Sequence, residues 1–166
     1  IEVNPESASE ELLCSARELG FNRVSIGVQS LSDGELRSVG RVHTAAQARE
    51  AVSRAVGMGF RDVSADVIVG LPGQTPDSLP KTLNGIILLG VSHVSAYCLS
   101  LEHGTPLAMD PPDDLPTEDD QADLFDEERS LLEEKGFIHY EISNFARPGH
   151  ECQHNLNYWR GGEYLG

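Results

Sequence analysis

The chain has 166 residues, enough for one substantial core and short of two. Twelve Lys and Arg against 27 Asp and Glu give a net charge of −15, which argues against a phosphate-binding nucleic-acid surface and against anionic membranes. No apolar run nears the roughly 18 residues that a membrane span requires.

Strand and helix signals alternate along the chain. Ile1 to Pro5 reads as a strand, and Ser7 or Ser9 can cap a helix to Leu19 that Gly20 ends. Leu12, Ala16 and Leu19 fall on one face of that helix, with Leu13 beside them. Val24 to Ser30 is the next strand. Ser32 opens a short helix over Asp33 to Val39, and Thr44 caps a longer one ending at Gly57-Met58-Gly59. Val63 to Val69 is a strand, Gly70 to Thr75 a turn, and Asp77 or Ser78 starts a helix that stops near Gly90. His93 to Leu101 closes this series as a fourth strand. Past Glu102 the character changes: His103 to Pro106 and Asp110 to Pro112 make a loop, and the acidic Asp110 to Glu128 stretch reads as a solvated loop leading into a helix capped by Thr117 with Asp120. Phe137 to Phe145 reads as a further strand, and His154 to Trp159 as a loop or short helix.

Short linkers between alternating periods point to βα units and a parallel sheet. The spacing is 27 residues from Glu2 to Gln29 and 37 from Gln29 to Asp66. That fits a barrel of βα repeats, whose eight units need roughly 250 residues, so about half a barrel is expected. Residues 1–109 form that unit and residues 110–166 an extension. The chain opens on a strand without Met and stops without a terminal helix, so it is expected to be an internal piece of a longer protein.

Each strand read as buried on both faces spends a position on a large polar side chain: Glu2, Gln29 and Asp66. Buried polar groups need partners, and a polar ligand across the strand ends would supply them. Glu2 could bind an ammonium, Gln29 can donate and accept, Arg41 could grip a carboxylate, and Asp66 could accept from a ribose diol. The same residues also suit structural roles, Asp66 as a helix cap and Arg41 in a surface ion pair. His43 could line the same mouth as Arg41. The turn from Gly70 to Thr75 lacks a phosphate-loop pattern and reads as a connector. Cys14, Cys98 and Cys152 form no CxxC pair, and their wide spacing suits a reducing cytosol. Cys14 and Cys98 read as small core residues. His154 could ligate a metal or heme iron, with Tyr158 and Trp159 packing on a flat macrocycle and Cys152 close by; on the residues alone an aromatic plug under a loop, with a hydrogen-bonded His, is the preferred reading. His93, His139 and Tyr140 read as structural.

Glu2-Val3-Asn4-Pro5, Gly20 to Ser30, Gly40-Arg41-Val42-His43, Asp66 to Thr75 and Tyr140 to Ala146 together resemble the oxygen-independent coproporphyrinogen III oxidase-like family of radical S-adenosylmethionine (SAM) proteins. The resemblance covers essentially the whole chain. His154-Asn155-Leu156-Asn157-Tyr158-Trp159 resembles the His-Asn-x-x-Tyr-Trp signature of that family's heme chaperone branch, HemW, which the porphyrinogen dehydrogenases lack. The resemblance implies strands three to six of a partial (β/α)6 TIM-type barrel plus a C-terminal α+β extension. It implies SAM contacts at Glu2, Gln29, Arg41 and Asp66, and a heme site at His154, Tyr158 and Trp159 with His154 on the iron. The family's CxxxCxxC loop and its [4Fe-4S] cluster fall outside this chain, and Cys14, Cys98 and Cys152 have the wrong spacing to replace it. The implied function is a cytoplasmic heme carrier with an unidentified heme-acceptor protein. The alternatives are an oxidative decarboxylase of coproporphyrinogen III and a barrel of unrelated metabolism. The acidic surface does not favour heme propionates, so heme contact would be mainly apolar and through iron.

Overall fold

A computed structural model describes residues 1–164. Six strands form one sheet: β1 (Glu2–Val3), β2 (Arg23–Gln29), β3 (Asp62–Val69), β4 (His93–Cys98), β5 (Ile138–His139) and β6 (Asn144–Ala146). Their order is β1-β2-β3-β4-β6-β5. The first four are mutually parallel, and β6 and β5 continue the sheet antiparallel. Between the parallel strands run α1 (Glu10–Glu18), α2 (Asp33–Ser38), α3 (Ala45–Gly57) and α4 (Ser78–Leu88). A sheet wound in sequence order, with crossovers of one hand, carries its helices on one face and leaves the other free.

The strand sequences follow that division. Val24, Ile26 and Val28 of β2, Val63, Ala65, Val67 and Val69 of β3, and Val94 and Ala96 of β4 are buried in one core. Leu13 and Ala16 of α1, Ala48, Ala51, Val52 and Ala55 of α3, and Leu79, Leu83 and Ile86 of α4 complete it. Each buried branched or large aliphatic side chain contributes about 1.5–3 kcal/mol, and this layer fixes the sheet. Two of these helices are capped as their starts predict, whereas Ser32 before α2 and Asp77 before α4 make no side-chain cap. Ser9 Oγ accepts from Leu12 N, and Thr44 with Gln47 forms a full capping box.

Beyond residue 100 follow α5 (Pro106–Met109), α6 (Glu118–Glu134) and α7 (Gln153–Trp159). Thr117 and Asp120 make the predicted capping box of α6. Leu124, Leu132, Phe137 and Phe145 join the same core as the parallel strands. The change of character past Glu102 is therefore followed by a switch from parallel to antiparallel pairing inside one sheet. Glu128 of α6 is 1% exposed, and neither of its carboxylate oxygens has a partner among the described residues.

Several local expectations are corrected. The buried face of α1 centres on Leu13 and Ala16, whereas Leu12 and Leu19 are exposed, because Leu19 sits at the C-cap beyond the last turn. Cys14 is exposed rather than core, since it lies about 100° around the helix from buried Leu13. Cys98 is also exposed. It lies opposite Val69, where the β3 ladder ends, so β4 stops there and not at Leu101. Phe137 to Phe145 is not one strand. Residues 140–143 reverse the chain between β5 and β6, and the turn is held by Glu141, whose carboxylate accepts from Ser143 N at 2.9 Å. No Gly or Pro marks that reversal.

Candidate functional site

The open face of the sheet is polar at most alternate positions. Arg23, Ser25 and Gln29 of β2, Ser64, Asp66 and Ile68 of β3, and His93, Ser95 and Tyr97 of β4 line one cavity of about 660 Å³. This alternation corrects the reading of strands buried on both faces: one face is core and the other is site. The register aligns the polar residues across strands. Glu2 lies opposite Ser25, Ser25 opposite Ser64, Ser64 opposite His93, Asp66 opposite Ser95, and Ser95 opposite Asn144.

All four residues expected to share a ligand, Glu2, Gln29, Arg41 and Asp66, line this cavity. Asp66 does not cap a helix; its Oδ1 accepts from Ser25 Oγ at 2.8 Å. Burial pushes its carboxyl up, hydrogen bonds from Ser25 and Ser95 pull it down, and nearby Glu2 pushes it up again. Gln29 ends β2 with φ of 63°, in the left-handed region that a non-glycine residue enters at a cost of about 1–3 kcal/mol. It also marks an irregularity in the pairing with β3. Gly27, on the same face, gives its amide room. A Cβ there would lie 2.9 Å from Gln29 Nε2 and 3.2 Å from Asn4 Oδ1. Arg41 makes no ion pair among the described residues and lines the cavity.

Sequence reasoning missed a second ring. Arg23 donates to His150 O at 3.1 Å and lies 3.9 Å from Asp62, so its guanidinium is held at the cavity wall. His93 contacts Ser64 Oγ through Nδ1 and Tyr140 Oη through Nε2, each at 2.8 Å. Burial, with Arg23 adding to it, lowers its pKa to about 3, so the imidazole is neutral at physiological pH. Burial pushes the phenols of Tyr97 and Tyr140 up. The i, i+2 recurrence of polar residues in β2, β3 and β4 was the available signal for this ring. Two carboxylates and two guanidiniums now face one hollow, an arrangement matched to a zwitterion carrying hydroxyls.

Cys152, His154 and Asn155 line the same cavity. Tyr158 and Trp159 do not. Tyr158 packs edge-on against His154, with ring centroids 4.8 Å apart, and Trp159 is 58% exposed with its Nε1 donating to Glu141 Oε2 at 3.1 Å. His43 is buried and absent from the cavity wall; its Nε2 lies 3.2 Å from Val28 O. The Gly70 to Thr75 turn closes on itself, with Gln74 Nε2 donating to Ile68 O at 3.1 Å and Gln74 Oε1 accepting from Gly70 N, which leaves no phosphate cradle.

The residues fit SAM: the unpaired Arg41, the Asp66–Ser25–Ser95 cluster and the strained Gln29 supply what an amino acid joined to a nucleoside asks for. They do not fit an iron–sulfur cluster. Among the described residues no group of three or more His, Cys, Asp or Glu could hold a metal, and Cys14 opens on a separate hollow beside Arg17 and Met58.

The radical SAM superfamily matches residues 1–86. The chain belongs to the radical SAM superfamily. It is 41% identical to the heme chaperone HemW of Mycobacterium tuberculosis, over 99% of this chain and 43% of that protein. It is 39% identical to HemW of Escherichia coli, over 100% of this chain and 44% of that protein. It therefore spans less than half the length of these curated relatives. The solved structure of coproporphyrinogen III oxidase (HemN) from Escherichia coli, described as a radical SAM enzyme, superposes with a TM-score of 0.81 at 29% identity, over 97% of this chain and 37% of that one. The radical SAM fold expected from the sequence is thus present, with the first four strands parallel as in its partial barrel. No helix among the described residues is long and apolar enough to cross a membrane.

Proposed function

We propose that this chain is the part of a cytoplasmic heme chaperone that forms one wall of a SAM pocket and carries the heme-contacting segment at its rim. One observation carries the reading: residues from β1, β2, β3, the segment after α2 and the start of α7 converge on a single cavity. Glu2 accepts from the ammonium of SAM and Arg41 grips its carboxylate. Asp66, pre-oriented by Ser25 and Ser95, accepts from the ribose hydroxyls. Gln29 is held in its strained conformation so that its amide faces the ligand. The cysteines that would hold a [4Fe-4S] cluster come from another part of the full-length protein.

Heme is the cargo. His154 offers an exposed imidazole to the iron, and the exposed faces of Tyr158 and Trp159 pack on the macrocycle. An acceptor protein then takes the heme. Support comes from the two HemW relatives at about 40% identity along the whole chain. The likeness to HemN supports a second reading, an oxidative decarboxylase of coproporphyrinogen III. Residues His154 to Trp159 favour the carrier.

Titration of the full-length protein with hemin tests this. A Soret shift that saturates in the parent and is lost in His154→Ala supports the carrier. Turnover of coproporphyrinogen III by the same preparation, with a Soret response indifferent to His154, supports the decarboxylase instead.

A further inference from the structure

The two residues that begin the reversal from β5 to β6 tie the cavity wall to α7. Tyr140 Oη meets His93 Nε2 at 2.8 Å on the cavity side, and accepts from Cys152 N at 3.2 Å and Asn155 Nδ2 at 3.4 Å on the α7 side. Glu141 does the same with its two oxygens. Oε1 accepts from Ser143 N and Asn144 Nδ2, and Oε2 accepts from Trp159 Nε1.

Asn144 lines the cavity and is 5% exposed. An ionised carboxylate only accepts, so the Asn144 amide must turn its Nδ2 to Glu141. Its Oδ1 is thereby left buried with no donor among the described residues. Buried acceptors without donors are uncommon and destabilising, and this one sits in the wall of a ligand cavity. Trp159 lies outside that cavity, mostly exposed and held at its indole N–H by the same carboxylate. A movement of Asn144 toward a ligand must therefore draw on the carboxylate that sets the attitude of the indole.

We infer that Glu141 is a positioning residue that couples occupancy of the cavity, by a nucleoside-type ligand presenting an N–H or O–H donor to Asn144 Oδ1, to the setting of Trp159 for a flat tetrapyrrole. This rests on the functional reading above. Coupling between two sites is reciprocal, so each ligand changes the affinity for the other by one shared factor.

The experiment uses the full-length protein with its cluster reconstituted. Hemin is titrated by Soret absorbance with and without saturating SAM, in the parent, in Trp159→Phe and in Glu141→Gln. SAM is expected to change the parent's hemin affinity by about fivefold or more. Trp159→Phe keeps an aromatic ring but removes the N–H, and the ratio of the two affinities is expected to fall to about one. A purely structural role for Trp159 would weaken both titrations together and leave the ratio intact. A parent ratio within about twofold of one overturns the coupling, and so does a ratio that survives Trp159→Phe. Because Trp159 is exposed, that variant stays decisive even where Glu141→Gln fails to fold. A parent that binds no hemin overturns the carrier reading itself, which is a different result from hemin binding that ignores SAM.

Discussion

Glu128→Met should stabilise the protein and flatten its pH dependence. Glu128 is 1% exposed on α6, and both carboxylate oxygens lack partners among the described residues, so no hydrogen bond from them offsets the loss of water. Burial pushes its pKa from an ordinary 4.5 up to about 8. The native state then binds a proton that the unfolded chain releases. Stability therefore falls as pH rises from about 4.5 to about 8, and levels off above that. Each pH unit in that window carries 1.36 kcal/mol, so at pH 7 folding costs about 3 kcal/mol for the uptake of this proton. Methionine fills a similar volume without a charge and removes that cost. Urea unfolding of the full-length protein at pH 5, 6, 7 and 8 measures it. The parent should lose stability across the series, and the variant should gain about 2–3 kcal/mol at pH 7 and vary little. A parent whose stability is flat from pH 5 to 8, or a variant weaker than the parent at pH 7, would refute the reasoning, because Glu128 must then have a partner.

Gln29→Gly should relieve the backbone at φ of 63° and raise stability by about 1 kcal/mol. The same change removes an amide from the cavity, so SAM affinity measured by calorimetry should fall by about tenfold, the worth of one net hydrogen bond; unchanged affinity would remove Gln29 from the binding set. Gly27→Ala places a Cβ 2.9 Å from Gln29 Nε2, so SAM affinity by equilibrium dialysis should drop while circular dichroism stays that of the parent. Full affinity in that variant would show that the amide's placement is irrelevant.

Much of the site was legible because its residues break a local rule. Glu2, Gln29 and Asp66 interrupt apolar runs, and the cost of burying unpaired polar groups made a shared ligand the natural explanation. All three face the cavity together with Arg41. Arg23, Ser25, Ser64, His93, Ser95 and Asn144 were missed as site residues. Each is an unremarkable strand residue until the register lines it up with others across the sheet, Ser25 opposite Glu2 and Ser95 opposite Asp66. His43 failed in the opposite direction. Its proximity to Arg41 in sequence implied a shared mouth, but the ring turns into the protein toward Val28 O. Trp159 was read as packing on a macrocycle or plugging a loop, and its N–H contact with Glu141 depends on a reversal at residues 140–143 that no Gly or Pro announces.

The sequence by itself determined the alternation of βα units, the helix caps at Thr44 and Thr117, a first cap at Ser7 or Ser9 that proves to be Ser9, and the polar residues that a ligand must meet. These are local matters: a cap is settled within three residues, and a buried charge is conspicuous wherever it stands. Only the tertiary structure decided that β5 and β6 extend the same sheet, that α7 opens on the cavity, and that Glu141 touches both Asn144 and Trp159. Those facts depend on strand order and register. Both are set by how separate segments pack their apolar faces on one another, and neither leaves a mark at any single position in the chain.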